Sequence, residues 1–227
     1  MEKTPLLDDF VLSLARRRGK RRICFIATAS GDSDFYIRRF YEAFPPSRAA
    51  ASSLRLFDRS ISDLRAFVLE QDVIYVGGGA TANLLAVWRL HRLDGALRDA
   101  WRRGVVMAGI SAGAICWFED GITDSFGMPF RALSDGLGFL RGGFCPHYDG
   151  ESARQAILRR LVARGFPSTF AADDGAALHF VGTRLKEAVS SRPNARARRI
   201  HLRRRKVVED ELKVRYLGKG SGARAKS

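Results

Sequence analysis

Val105-Val106-Met107-Ala108-Gly109-Ile110-Ser111-Ala112-Gly113-Ala114 passes from an apolar run, through a serine set between glycines, into the start of a further segment. A run that is apolar at nearly every position suits a strand buried on both faces, as in a parallel sheet covered by helices. Gly109-Ile110-Ser111-Ala112-Gly113 fits the G-x-S-x-G pattern. It stands where that pattern carries meaning, after a predicted strand and before a predicted helix. The glycines remove side chains that would clash across a sharp turn, and the turn pushes the Ser111 hydroxyl into the open. The helix start adds backbone donors and a positive dipole end, which favour a developing oxyanion.

Outward from this turn the chain alternates. Ile23–Ala29 and Val73–Val76 are further apolar runs, and Leu54–Phe57 reads as a short strand. Phe35–Phe44 has helical spacing and stops at Pro45-Pro46; Ser62–Leu69, Ala82–Leu93 and Leu97–Arg102 also read as helices. Strands alternating with helices predict an α/β fold, a mostly parallel sheet with helices on both faces. Thr169–Ala172 and Ala177–Val181 are expected strands around Asp173-Asp174-Gly175. The end of the chain predicts an antiparallel edge hairpin with Glu209-Asp210-Glu211 near its turn. One domain is expected over residues 1–217, with a flexible basic tail over 218–227.

Gly77-Gly78-Gly79 closes the strand before the serine turn. Neighbouring parallel strands end side by side, so N–H groups of Gly78 or Gly79 can complete an oxyanion hole with that of Ala112. A Walker loop is excluded because no Gly-Lys-Ser/Thr follows, and a dinucleotide fingerprint lacks its final glycine.

A serine nucleophile needs a base and a carboxylate to orient it. Of His91, His147, His179 and His201, only His147 falls in a turn-rich segment, Phe144-Cys145-Pro146-His147-Tyr148-Asp149-Gly150. His91 is expected in mid-helix, His179 in a strand and His201 in the basic hairpin. Asp124, Asp149, Asp173 and Asp174 are candidate acids, and the spacing leaves Asp124 and Asp174 open.

The whole chain of 227 residues carries 39 Lys and Arg, 24 Asp and Glu, and 46% hydrophobic residues. That composition excludes wholesale disorder and collagen-like repeats. Of the formal charge of +15, residues 184–227 hold +11. Arg203-Arg204-Arg205-Lys206 could meet a polyanion, but no aromatic residues alternate with them as a stacking platform would require. The three cysteines, Cys24, Cys116 and Cys145, are too sparse for a disulfide framework or a Cys-rich zinc site. No metal or other cofactor is expected, since no H-E-x-x-H or clustered ligand spacing occurs. No membrane span is expected. Asp8 and Asp9 interrupt the first apolar stretch, and basic residues follow it instead of preceding it, so a cytoplasmic location is expected.

These motifs together resemble the aspartyl dipeptidase (peptidase E) family of serine peptidases, related to cyanophycinases. The carrying segments are Ala27–Asp32, Tyr75–Gly79, Gly109–Phe118, Cys145–His147 and Asp173–Gly175. The resemblance spans most of the chain, from the first strand to the final hairpin. It implies a fold like class I glutamine amidotransferases (flavodoxin-like). It also implies a triad of Ser111, His147 and Asp174, Asp174 standing where the family has an acid before a glycine. Arg154 matches the family's binder of an N-terminal Asp side chain, and Asp124 matches another acidic position on the substrate side. Two departures stand out: Ala80-Thr81 replaces the family's Asn-Thr, and Asp174 replaces Glu. The implied activity is hydrolysis of short peptides, dipeptides with N-terminal Asp. Small peptides are then the expected partners of a monomer or homodimer, with no membrane and no nucleic acid. The alternatives are an amidotransferase-like hydrolase of another acyl substrate and a non-catalytic nucleic-acid binder using the basic hairpin.

Overall fold

A computed structural model describes residues 5–218 of the chain. The first half runs α1 (Leu6–Leu14), β1 (Arg22–Ile26), α2 (Asp34–Ala43), β2 (Ala50–Leu54), α3 (Leu64–Leu69), β3 (Val73–Val76), α4 (Thr81–Leu90), α5 (Leu93–Arg102) and β4 (Val106–Gly109). Its four strands form one parallel sheet in the order β2-β1-β3-β4. Successive residues of a strand face opposite ways. Ile23, Phe25, Val73 and Tyr75 accordingly meet Leu12, Ile37, Phe40 and Phe44 on one face. Cys24, Ile26, Ile74 and Val76 meet Leu84, Leu85, Trp88 and Leu97 on the other. Helices therefore cover both faces of the central strands, which is why residues 23–26 and Val73–Val76 carry no charged residue.

The second half continues with α6 (Ala112–Ile115), β5 (Phe118–Thr123), β6 (Arg131–Leu133), β7 (Leu140–Cys145), α7 (Ser152–Ala163) and β8 (Thr169–Ala172). It closes with β9 (Ala176–Val181), β10 (Arg184–Ser190), β11 (Ala197–Arg203), β12 (Lys206–Leu212) and β13 (Val214–Tyr216). A six-stranded sheet has the order β12-β11-β8-β7-β5-β6, in which β5, β7 and β8 are parallel and the remaining pairings antiparallel. A three-stranded sheet, β13-β10-β9, packs near α1. The short helix α6 touches β3, β4, β5 and β7 and so lies where the two larger sheets meet. Gly121 permits this: a Cβ there would stand 2.4 Å from Ile115 Cγ2.

Two expectations need correction. The strand expected at 54–57 lies at Ala50–Leu54. Parallel pairing with β1 fixes that register, Leu54 opposite Ile26, and the buried Asp32 carboxylate then takes the N–H groups of Leu56 and Phe57 at 2.6 and 2.9 Å. The C-terminal hairpin is antiparallel and at an edge, but its turn is Arg204-Arg205, both at positive φ (48° and 63°). Glu209, Asp210 and Glu211 lie within β12, opposite Ile200, Arg199 and Arg198. Side-chain contacts across the two strands favour this arrangement: Asp210 accepts from His201 at 2.8 Å and Glu211 meets the Arg196 guanidinium at 3.5 Å. Most of the expected basic tail, residues 219–227, lies outside the described residues. Among the described residues, no helix is long and apolar enough to cross a membrane.

Candidate active site

Ser111 stands two residues beyond the end of β4 as the N-cap of α6, with φ 52° and ψ −117°. A non-glycine residue at positive φ is strained and must be held by its surroundings. Backbone packing holds it. A Cβ on Gly109 would fall 2.0 Å from the Gly113 carbonyl oxygen, and one on Gly113 would fall 2.3 Å from that of Val76. Only glycine fits either position. The end of β3 runs beside the serine: a Cβ on Gly78 would be 3.2 Å from Ser111 Cβ. Gly79, at φ 136°, presses against Ala29 so closely that a Cβ would lie 2.1 Å from its carbonyl oxygen. The N–H groups of Gly78, Gly79 and Ala112 donate to no backbone acceptor among the described residues. For Ala112 this follows from its place in the first turn of a helix.

His147 and Asp174 each stand two residues beyond the ends of β7 and β8, which are adjacent and parallel. Their loops therefore lie side by side, and His147 Nδ1 is 2.6 Å from Asp174 Oδ1. An ionised carboxylate only accepts, so Nδ1 is the donor of this pair, and in a neutral ring Nε2 then keeps a lone pair. The backbone of His147 is also at positive φ, 55°. Its turn is pinned by Tyr148, whose N–H donates to Ala172 O at 3.0 Å and whose hydroxyl donates to Glu209 at 2.7 Å. Burial and the neighbouring Glu209 carboxylate push the Tyr148 phenol well up, so it stays a donor.

Side chains clamp the Asp174 loop. Asp149 Oδ1 accepts the Asp174 N–H at 2.8 Å, and Asp149 Oδ2 meets Arg192 at 3.2 Å. Burial alone pushes the Asp149 carboxyl up. The N–H groups of Asp174 and of Asp149 itself, with Arg192, outweigh it and hold the carboxyl below the usual range. Asp173 points elsewhere: its carboxylate accepts from Arg198 at 2.8 Å and from the Arg196 N–H at 2.9 Å, tying β8 to β11. Of the acids left open by spacing, Asp174 is the one that meets the histidine. Asp124 lies exposed beyond β5, with no described partner for its carboxylate.

No hydrogen bond joins Ser111 Oγ to His147 among the described residues. Such contacts often tighten only when substrate is bound. The other histidines are occupied: His179 faces Glu187 at 3.4 Å and His201 faces Asp210 at 2.8 Å. His91 caps the end of α4, not its middle, beside Arg59. All three cysteines are free and buried; burial raises the Cys24 and Cys145 thiols to about 12 and pushes the Cys116 thiol well up. None is a nucleophile at neutral pH.

Arg154, in the first turn of α7, is 4% exposed. Its Nε donates to Glu151 Oε2 at 2.7 Å, and one terminal nitrogen donates to Ile122 O at 3.1 Å. Its plane lies over Phe130, 4.1 Å from the ring centroid. Sequence reasoning missed Glu151, Arg192 and Phe130. Only the proximity of Asp149-Gly150-Glu151 to His147 signals the first, and nothing in the sequence signals the other two.

The family model described as peptidase family S51 matches residues 1–188. That span ends within β10, before the basic hairpin. The chain is 53% identical over 213 residues to a Bacillus subtilis (strain 168) protein named uncharacterized peptidase YgaJ, covering 93% of this chain and 91% of the other. Its fold is similar to that of a peptidase from an acI-B1 actinobacterium, with a TM-score of 0.62, 19% identity, and 94% and 91% of the two chains covered. A provisionally named peptidase E protein from Listeria monocytogenes EGD-e gives a TM-score of 0.56 at 17% identity, covering 90% and 93%.

Proposed function

The chain belongs to peptidase family S51, and from that premise we propose that it is a serine exopeptidase cleaving short peptides, foremost dipeptides with N-terminal Asp. Ser111 is the nucleophile, His147 the base and Asp174 the acid. The observation that carries this reading is the 2.6 Å contact of His147 Nδ1 with Asp174 Oδ1 beyond adjacent parallel strands.

In the proposed mechanism Ser111 Oγ attacks the scissile carbonyl carbon while His147 Nε2 takes its proton. Asp174 holds the ring in the required tautomer and stabilises the imidazolium. The oxyanion is met by the N–H of Ala112 and that of Gly78 or Gly79. Losing one such donor typically costs about 10²–10³ in turnover. Collapse breaks the C–N bond, and the imidazolium gives its proton to the departing amine. Water, deprotonated by His147, then releases the acyl group from Ser111. Arg154 is proposed to receive the side-chain carboxylate of the N-terminal residue, and Asp124 to lie on the substrate side.

The test is hydrolysis of an Asp-X dipeptide panel beside Ala-X, Glu-X and N-acetyl-Asp-X peptides, with Ser111→Ala in parallel. Asp-selective cleavage lost in Ser111→Ala is the expected result. Cleavage of other dipeptides, lost in the same variant, would keep the serine peptidase and move the specificity away from Arg154. No cleavage of any peptide by folded protein would overturn the proposal.

A further inference from the structure

The guanidinium of Arg154 is almost wholly enclosed, and a buried charge is tolerated only with a counter-charge. Glu151 supplies it. The two residues differ sharply in surroundings: the Arg154 side chain is 5% exposed and that of Glu151 41%. Glu151 precedes α7 and caps nothing with its side chain, and among the described residues its carboxylate bonds to Arg154. One face of the guanidinium is covered by Phe130.

A carboxylate binds arginine best through two parallel N–H···O bonds. One edge of this guanidinium offers Nε with a terminal nitrogen, and Nε is taken by Glu151. The other edge offers the two terminal nitrogens, and one of these donates to Ile122 O. The Ile122 carbonyl belongs to β5 and cannot leave. The Glu151 side chain is half in solvent and can. An incoming carboxylate that binds in two-pronged fashion must therefore displace Glu151.

We propose that Glu151 is a resident competitor at Arg154, a specificity-determining residue that occupies the carboxylate subsite in the empty enzyme. This rests on the assignment of Arg154 as the substrate's carboxylate receptor. The pair keeps the buried cation neutral between turnovers. It also lowers the net gain of binding any carboxylate, which must displace Glu151, while a neutral side chain has no use for the guanidinium edge and is unaffected. Atoms and charge balance without chemistry: one carboxylate leaves the guanidinium for water as another arrives from water.

The experiment compares wild type, Glu151→Gln and Arg154→Lys in steady-state kinetics on Asp-X and Ala-X dipeptides. Calorimetric titration with succinate, a dicarboxylate probe, runs alongside. In Glu151→Gln the Asp-X to Ala-X ratio of kcat/KM rises roughly two- to five-fold, the range expected for removing one half-exposed ionic contact, and the change lies in KM. Succinate binds more tightly and raises Tm more than in wild type. A merely structural Glu151 would give the opposite, a ratio that stays or falls and weaker succinate binding, and that result overturns the proposal. Thermal melting establishes that Glu151→Gln is folded, and Glu151→Asp, which shortens the arm but keeps the charge, supplies a second variant expected between the two. Arg154→Lys separates the premises. If it hydrolyses Asp-X as wild type does, the receptor assignment falls and the competitor role falls with it. If Asp-X is not a substrate but succinate binding still tightens in Glu151→Gln and is lost in Arg154→Lys, the substrate reading fails while the competitor role stands.

Discussion

The serine turn and the histidine–aspartate pair belong to different sheets and are held by different means. Around Ser111 the backbone does the holding. Gly109 and Gly113 lie within van der Waals contact of neighbouring main chain, and the strained φ of 52° persists because nothing there can move. Around His147 the side chains do it. A chain of contacts runs from the imidazole to Asp174, from the Asp174 N–H to Asp149, and from Asp149 to Arg192. The first kind of support is all-or-none, because a misplaced methyl meets backbone. The second is graded, because each contact is partly exposed and can be replaced by water. The comparison teaches that one added methyl group should have very unequal consequences in the two regions.

The largest effect is therefore expected at Gly113→Ala. Its methyl would stand 2.3 Å from Val76 O, so the turn must open. Peptidase activity should fall by about three orders of magnitude or more, since a misplaced nucleophile of about 1 Å already costs about 10²-fold. Tm should fall with it, as for other overpacked core positions. A Gly113→Ala enzyme with wild-type kcat would end the idea of a rigid serine turn.

Asp174→Asn comes next. It keeps the shape but offers the ring a donor where an acceptor is needed, favouring the wrong tautomer. A fall in kcat of about 10²–10⁴-fold is expected, with KM little changed. Asp124→Asn, measured beside it, should have a far smaller effect on kcat. The reverse order would exchange the two acids.

Asp149→Asn should act more mildly and in a pH-dependent way. The Asp149 carboxyl is held below its usual range in the folded protein. Its ionised contacts therefore stabilise the fold above the unfolded value, about 3.9, and this is lost as pH falls through the lowered folded value. The Tm difference between wild type and Asp149→Asn should be constant near neutrality and close below about pH 4. A difference that widens as pH falls would reverse the assigned sign.

Gly150→Ala is expected to do least. A Cβ there would sit 3.5 Å from Asp174 Oδ2, an ordinary contact, and the backbone is not at positive φ. Stability should stay within about 0.5 kcal/mol of wild type. Set beside Gly113→Ala, it is the sharpest test of backbone against side-chain support.

The two halves were also unequally legible. Val73–Val76 reads directly as a buried strand because its environment is apolar on both faces, whereas Val106–Gly109, equally apolar in sequence, is only half-buried because β4 lies at the edge of its sheet. β5 and β7 hid themselves. Phe118-Glu119-Asp120-Gly121-Ile122-Thr123 mixes charge and glycine because Gly121 must admit Ile115, and β7 carries Gly142 and Gly143 for close approach to Ser168 and Thr169. Neither constraint shows in hydrophobic periodicity. β7 lies between β8 and β5, both parallel to it, so strand order brings the loops of Asp174 and Asp124 alike beside that of His147, and only the 2.6 Å side-chain contact distinguishes Asp174, which no local pattern encodes. The hairpin turn differs from expectation for a related reason: the sequence places Glu209-Asp210-Glu211 near the turn, whereas these residues lie within β12 with partners across the ladder. For Arg154 the sequence offers the charge, but its enclosure by Phe130, Ile122 and Glu151 exists only once β5, β6 and α7 have assembled.

The six-stranded sheet ends at β6 on one side and β12 on the other. An open strand is a row of unused donors and acceptors, and therefore a template for self-association. β6 is only three residues long, too short to recruit much. β12 is seven residues long but opens with Lys206 and carries Glu209, Asp210 and Glu211, beyond a turn made of two arginines. A second copy laid along it in either direction would bring carboxylates near carboxylates while desolvating them. The charge carried by β12 therefore disfavours pairing of a second copy along this edge, a consequence that requires no ligand at all.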